Sequence, residues 1–277
     1  MDMEISAGAV ALLILALGAG GLVSGFLAGL FGIGGGAITV PILYEVWRVL
    51  DIDPAIRMHM AVGTSLAVMI PTTLQSFLAH RARGSVDIGF LKRMAAPVVL
   101  GVAGGALIAS VSVSTVLKWV WVVFASTLAA KLFWGRDDWR LGRDIPKSRF
   151  VELYGVFVGV LCGLLSIGGG AFMTMLMMLY GRPIHQAVGT SAGFGPLVSI
   201  PGAIGFMIAG WGASTLPIGS LGYVNLIGAA VIIPASVFAA PLGARLAHHF
   251  SRRKLEVAFG CFMSALALRY ALDLLLA

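Results

Sequence analysis

The amino-acid sequence predicts an all-α, polytopic membrane protein that contains two inverted repeats. Composition is the first reason, because 59% of the 277 residues are hydrophobic and only 11% are charged, whereas a soluble domain carries about 25% charged residues. The mean hydropathy is +0.97. The other two reasons are a series of apolar segments and a glycine-rich stretch that occurs twice. Such a chain is expected to cross the bilayer as helices, which satisfy their own backbone hydrogen bonds.

Ten apolar segments follow one another along the chain. Most have the roughly 20 residues that a helix needs to cross a bilayer. The second and seventh segments are shorter, and each follows three consecutive glycines. Each short segment either completes a full hairpin or belongs to a re-entrant hairpin that turns inside the membrane. The predicted segments are 7–32, 35–50, 59–80, 88–110, 114–134, 150–167, 170–181, 187–209, 220–246 and 254–276.

The glycine-rich stretch at 25–37 recurs at 159–171, and both copies contain Ile-Gly-Gly-Gly-Ala. Glycine adopts backbone conformations that other residues avoid. Non-helical backbone persists in a membrane only where protein or a water-filled cavity covers it. The two stretches therefore predict a break in two membrane hairpins. The glycines concerned are Gly34, Gly35, Gly36, Gly168, Gly169 and Gly170.

A second motif is also repeated, since His-x-Ala-Val-Gly-Thr-Ser occurs at 59–65 and at 185–191. Five segments separate equivalent points, and this odd number predicts that the second repeat is inverted relative to the first. Inverted repeats are typical of secondary transporters, whose sites lie near the bilayer midplane. The predicted division is 1–134 for the first repeat, 135–149 for a basic linker and 150–277 for the second. The alternative is that these small residues only allow close helix packing.

Basic residues predict the orientation, because cytoplasmic loops carry an excess of Lys and Arg. Placing the basic segments 80–93, 136–149 and 245–254 in the cytoplasm agrees with the number of crossings between them. Both termini then lie outside a bacterial inner membrane. The basic residues left on the outer side are Arg48, Arg57, Lys118 and Arg269.

The glycine-rich stretch at 25–36, its second copy and the two Ala-x-Gly-Thr-Ser motifs resemble the sulfite exporter TauE/SafE family, also called the toluene sulfonate uptake permeases. The basic linker and the length of 277 residues fit as well. The resemblance covers essentially the whole chain. It implies a multi-pass inner-membrane transporter for sulfite, thiosulfate or an organosulfonate, and leaves the particular anion and the direction of transport open.

Each triple glycine precedes a new helix start, and the first turn of a helix has free N–H groups and the positive end of the helix dipole. Two such starts from opposite repeats would bind an anion near the membrane centre, as helix N-termini bind phosphate. Hydroxyl groups are the next candidates because they donate hydrogen bonds without a fixed charge. The alternative is that they bond carbonyls of their own helices. These substrate-binding candidates are Thr64, Ser65, Thr190, Ser191, Thr39 and Thr174.

Five further residues are candidates for gating or for a proton or anion path. A protonated histidine attracts an anion or carries a proton with it, and arginines attract anions over a distance. The alternatives are a helix start at the membrane interface for the histidines and an interhelical hydrogen bond for the glutamine. The candidates are His59, His185, Arg57, Arg182 and Gln75.

Several classes of function are not expected. The sequence has no Asp or Glu near the middle of a long segment, which disfavours cation transport and proton coupling through a carboxylate. It offers no catalytic constellation, metal ligands or cofactor motif, and its basic residues lie in short loops rather than on a nucleic-acid surface. The expected partners are the sulfur-containing anion, membrane lipid and, as a further option, a second copy in a homodimer. We expect alternating access, with a gated anion channel as the alternative.

Overall fold

The computed structural model describes residues 7–31, 35–134, 142, 144–213, 215–247 and 249–276, apart from the side chains of residues 7–13 and 252. Seven helical stretches within these ranges are long and apolar enough to cross a membrane, which confirms the prediction of a polytopic helical protein. The helices are α1 Ala7–Phe31, α2 Gly36–Val49, α3 Pro54–Ala82, α4 Ile88–Val111, α5 Ser114–Trp134, α6 Arg149–Leu165, α7 Gly170–Leu179, α8 Ile184–Ala192, α9 Phe194–Ala209, α10 Leu226–Ala247 and α11 Arg252–Leu275.

The helices α2 and α7 that follow the triple glycines are short. They have 14 and 10 residues, which corresponds to about 21 and 15 Å at 1.5 Å per residue. Both are shorter than the roughly 30 Å of a bilayer core. That these segments are short agrees with the sequence, while the re-entrant path stays a prediction.

Two predicted segments differ in the structure. The segment at 187–209 is divided into α8 and α9 at Gly193. The segment at 220–246 begins with a β-hairpin, in which β1 (Ser220–Leu221) pairs antiparallel with β2 (Val224–Asn225). The turn contains Gly222 with φ of +57°, and a Cβ there would overlap the Met207 carbonyl, so tertiary contact with α9 favours the hairpin over a longer helix.

The third helix starts earlier than predicted, at Pro54 rather than at His59. Proline is favourable in the first turn of a helix because it lacks an N–H. The Asp53 carboxylate also accepts a hydrogen bond of 2.8 Å from the Ala55 N–H, which is an N-terminal cap. His59 therefore lies in the second turn of α3 instead of at its start.

Close glycine contacts join the two halves of the chain. Helix α1 packs along α10, where a Cβ on Gly29 would overlap the Ala240 carbonyl. Helix α6 packs along α4, where a Cβ on Gly159 would overlap the Val98 carbonyl. The first predicted segment of each repeat thus packs on the fourth predicted segment of the other, and α5 packs on α11. This exchange is matched between the halves, while their inverted relation remains a prediction.

Two arginines of the basic segments bond to backbone close to the two ends of the linker. Arg93 donates hydrogen bonds of 3.1 and 3.2 Å to the Pro146 and Ser148 carbonyls. Arg253 likewise donates to the Leu132 and Phe133 carbonyls, at the end of α5. Arg93 therefore contacts the described end of the linker and Arg253 contacts the end of α5 that precedes it, while the side of the membrane stays a prediction.

We predict that Gly29→Ala destabilises the protein, whereas Gly18→Ala in the same helix does not. The added Cβ at position 29 meets backbone, and overpacking costs about 1–3 kcal/mol. At position 18 the nearest atom, Val231 Cγ1, is 3.8 Å away, and alanine improves helix propensity by up to about 1 kcal/mol. Thermal unfolding of the detergent-solubilised variants measures the difference, and equal midpoints would contradict the proposed contact.

Candidate functional site

The second glycine stretch forms a turn between α6 and α7. Ser166 ends α6 in the left-handed region with φ of +53°, and Gly169 has φ of +69°. Only glycine adopts this region without strain, so the serine conformation depends on the surrounding packing. Within the described residues, the N–H groups of Gly170, Ala171 and Phe172 have no backbone acceptor. The start of α7 therefore retains hydrogen-bond donors, as expected for a helix N-terminus.

The first glycine stretch meets the second at this turn. The backbone of Gly36 at the start of α2 packs so closely on the Ser166 carbonyl that a Cβ would overlap it. The Met69 side chain of α3 contacts both stretches, because its Sδ lies 2.9 Å from the Cβ position of Gly36 and its Cε 3.1 Å from that of Gly168. The two stretches thus come together around one thioether. Gly34 lies outside the described residues.

Three further side chains lie next to this junction, and the sequence interpretation did not select two of them, Thr73 and Ser199, as site residues. The Ser166 hydroxyl donates to Met69 Sδ at 3.6 Å. Thr73 donates to the Met69 carbonyl at 2.7 Å, and its hydroxyl is 3.4 Å from that of Ser199 in α9. Thr73 and Ser199 are 126 positions apart, as are His59 and His185. Extending that repeat offset along α3 would have found this pair.

Thr64 and Thr190 have matched structural roles. The Thr64 hydroxyl accepts a 3.0 Å hydrogen bond from the Asn225 N–H, and the Thr190 hydroxyl accepts a 2.8 Å bond from the Asp87 N–H. Asn225 in turn accepts from the Gly228 N–H and caps α10, while Asp87 caps α4 through the Phe90 N–H. Each threonine therefore positions the cap of the helix in the other half that forms its fourth predicted segment, α10 for Thr64 and α4 for Thr190. Neither accepting interaction was considered from the sequence.

The other candidate hydroxyls differ between the halves. Ser191 donates to the Val188 carbonyl at 2.8 Å and accepts from Thr174 at 2.8 Å. Thr39 donates to the Gly35 carbonyl of its own helix at 2.8 Å. Ser65 is fully buried, and its hydroxyl has no hydrogen-bond partner in the described part of the chain. Ser65 is thus the candidate whose hydroxyl is not occupied by the protein.

The two histidines occupy different environments. His59 is buried, and its Nε2 lies 3.1 Å from the Ala109 carbonyl and 3.0 Å from the Ser112 carbonyl. Since both partners are acceptors, Nε2 carries the proton and joins α3 to the end of α4. The His59 ring also lies 4.9 Å from the ring of Tyr223. His185 is exposed near the start of α8.

The remaining gating candidates lie away from the glycine turns. Arg57 is buried and donates from Nε and Nη2 to the Ile52 carbonyl. Arg182 forms an ion pair of 3.3 Å with Asp144 of the linker. Gln75 is exposed on α3. The structure therefore places these three residues at separate positions.

The side chains that meet at the two turns are uncharged and comprise hydroxyls and one thioether. The backbone at the start of α7 adds N–H donors. Such a set binds an anion through hydrogen bonds without the cost of burying a lysine. Among the residues with described positions, no group of three or more His, Cys, Asp and Glu residues is arranged to hold a metal ion.

The fold and this polar junction are typical of polytopic helical membrane transporters, in which short helices begin next to one another inside the protein. Here these helices are α2 and α7. The family model described as sulfite exporter TauE/SafE matches residues 17–270. The chain therefore belongs to the TauE/SafE family and is a membrane transporter.

Relatives carry the same general description. A Haemophilus influenzae protein named a probable membrane transporter protein is 31% identical over 90% of this chain and 94% of its own length. A Methanocaldococcus jannaschii protein with a similar name is 27% identical over 90% and 91%. The probable membrane transporter protein YunE of Bacillus subtilis is 28% identical over 82% and 85%. No solved structure matches the chain.

We predict that Thr64→Val lowers stability and that Thr64→Ser largely preserves it. Valine leaves the buried Asn225 N–H without an acceptor, which costs about 1–3 kcal/mol, whereas serine keeps the oxygen. The measurement is thermal unfolding of the purified variants. A valine variant with the wild-type midpoint would show that the hydroxyl does not support the cap of α10.

Proposed function

We propose that the protein is a secondary transporter that moves a small sulfur-containing anion across the bacterial inner membrane by alternating access. Sulfite, thiosulfate and organosulfonates form the proposed substrate class. The observation that carries the proposal is the meeting of the two glycine stretches around Met69. The description of the family as sulfite exporters supports the choice of sulfur oxyanions.

The chemistry of the junction suits such an anion. The oxygens of sulfite and sulfonates accept several hydrogen bonds at once, and the start of α7 has three N–H groups that find no backbone acceptor among the described residues. The Ser65 hydroxyl adds an unoccupied donor on α3. The helix dipole of α7 contributes about half a positive charge at its start. Substrate binding by these groups stabilises the anion without a fixed countercharge that would slow its release.

The packing suggests which parts move. Backbones touch along α1 and α10 and along α4 and α6, so each pair is expected to move as one body. Helices α3 and α9 also pack against each other, and between them lies the weak 3.4 Å contact of Thr73 with Ser199. We infer that this polar seam changes during alternating access, while the glycine-packed pairs stay intact.

Ser65→Ala tests the proposed site separately from the fold. Removing a buried hydroxyl without a partner is expected to leave stability unchanged or to raise it by about 1 kcal/mol, while sulfite flux into proteoliposomes falls at least severalfold. Ser24→Ala is the matched control, because the Ser24 hydroxyl is buried but donates to the Gly21 carbonyl of its own helix. Wild-type flux in Ser65→Ala would contradict a role of this hydroxyl in substrate binding.

The substrate class is tested by thermal unfolding of the purified protein with sulfite, thiosulfate, taurine, sulfate or acetate. We expect sulfur oxyanions to raise the unfolding midpoint, because a ligand at 100 times its Kd stabilises the folded protein relative to the unfolded chain by about 2.7 kcal/mol. Equal stabilisation by acetate, or none by any sulfur anion, would contradict the proposed class.

In proteoliposomes, saturable and exchange-stimulated flux is expected for a carrier, whereas much faster flux without exchange would indicate a channel.

A further inference from the structure

A cluster of charged side chains surrounds Tyr44 of α2, away from the glycine turns. Lys118 Nζ lies 5.2 Å from the centre of the Tyr44 ring, and the Arg57 guanidinium carbon lies 5.7 Å from it. The Tyr270 ring packs edge-on at 5.1 Å. Helices α3, α5 and α11 thus bring polar groups to one tyrosine. Tyr44 is eight residues along α2 from Gly36, which corresponds to about 12 Å.

Two carboxylates are shared within this cluster. Asp273 accepts hydrogen bonds from Lys118 at 2.6 Å and from the Tyr44 hydroxyl at 2.9 Å. Arg269 lies 3.6 Å from Asp273 and 3.4 Å from Glu45, and Glu45 also pairs with Arg48 at 2.7 Å. The four basic residues that the sequence assigns to the outer side therefore all lie in or beside this cluster.

Arg57 differs from the other cations because it is 7% exposed and forms no ion pair among the described residues. Its two hydrogen bonds to the described part of the chain, of 3.0 and 2.6 Å, both go to the Ile52 carbonyl. Burying a charge without an opposite charge is unfavourable. Asp51 and Asp53 on the adjoining loop are exposed, and Asp53 caps α3.

The cluster consequently carries more positive than negative charge. Its basic side chains are Arg48, Arg57, Lys118 and Arg269, and its carboxylates are Glu45 and Asp273. Among the described residues, the Tyr270 hydroxyl is buried beside it without a hydrogen-bond partner, and Glu45 Oε1, which lies 3.4 Å from Arg269, likewise accepts no hydrogen bond. A buried cation without a carboxylate, together with an unused hydroxyl donor, favours an anionic ligand at this position.

We propose that Arg57, Lys118 and Tyr44 form a second anion-binding site and that Asp273 is its internal counter-ion. An incoming sulfur oxyanion displaces the Asp273 carboxylate from Lys118 and Tyr44, while Arg269 retains that carboxylate. The planar guanidinium of Arg57 suits an oxyanion because it donates two parallel hydrogen bonds. The identity of the anion rests on the proposed function, whereas the existence of the site does not.

Such a site raises the concentration of the anion near the end of the protein that the sequence assigns to the outer side. Charges of one sign raise the local concentration of an oppositely charged ligand. The competing carboxylate keeps the affinity moderate, so the anion is released onward rather than held. The two sites therefore have different roles: the charges around Tyr44 attract the anion, and the backbone N–H groups at the glycine turns bind it through hydrogen bonds.

The test is calorimetric titration of the purified full-length protein with sodium sulfite and sodium sulfate at constant ionic strength. Arg57→Gln is expected to weaken binding at least tenfold, which corresponds to about 1.4 kcal/mol, because the variant loses a charged hydrogen bond to the anion. Arg57→Lys retains the charge and is expected to weaken binding less. Asp273→Asn removes the competing carboxylate and is expected to tighten binding severalfold. Arg93→Gln, at the opposite end of the protein, is the control and should bind as wild type.

The opposite effects of Arg57→Gln and Asp273→Asn separate an anion site from a purely structural network. Equal weakening by both variants, or no change in either, would overturn the proposal. If Asp273→Asn does not fold, the comparison of Arg57→Gln with Arg57→Lys decides, and equal affinities would contradict the site. Repeating the titrations in Ser65→Ala distinguishes the two sites. If the affinity changes caused by Arg57→Gln and Asp273→Asn persist in the Ser65→Ala background, and Ser65→Ala itself transports at the wild-type rate, the Tyr44 site is upheld and the role of Ser65 is rejected.

Discussion

Direct contact between backbones at glycine is the constraint on which the rest of this structure depends. Lipid provides little hydrophobic drive for one apolar helix to join another, so association relies on close packing. A Cβ on Gly29, Gly159 or Gly36 would overlap a carbonyl of a neighbouring segment. The first two contacts join helices from opposite halves of the chain, and the third joins the two broken hairpins. Close backbone contact at glycine therefore both holds the two halves together and forms the proposed site.

This constraint explains why the charged residues lie apart from the glycine junction. Backbones that touch leave no room for long basic side chains, so the junction around Met69 contains hydroxyls, N–H groups and a thioether. Charged residues lie toward the two ends of the protein. Arg93 and Arg253 donate hydrogen bonds to backbone carbonyls at one end, and Lys118 pairs with Asp273 in the cluster around Tyr44. Fixed charge therefore lies toward the ends of the protein, and hydrogen-bond donors without charge lie at the junction.

Much of the fold could be predicted from the sequence, because apolar runs separated by basic loops indicate membrane helices directly. The predictions differed from the structure where tertiary contacts break a helix. Asn225 ends the hairpin and donates from its side chain to the Ile218 carbonyl and the Ser220 hydroxyl, and no local pattern indicates these bonds. Gly193 divides the eighth predicted segment where a Cβ would contact Leu91 at 2.6 Å, so the distant neighbour is again involved.

The sequence by itself determined the membrane class, the resemblance to the TauE/SafE family, the paired glycine stretches and the repeated His-x-Ala-Val-Gly-Thr-Ser motif, because each depends on residues close together in the chain. Only the tertiary structure decided what the matched residues contact. Thr64 meets Asn225 across 161 positions, and Lys118 meets Asp273 across 155. A local motif does not encode such pairs, since they arise from how distant helices pack. For the same reason, only the fold distinguishes the unoccupied Ser65 hydroxyl from that of Ser191.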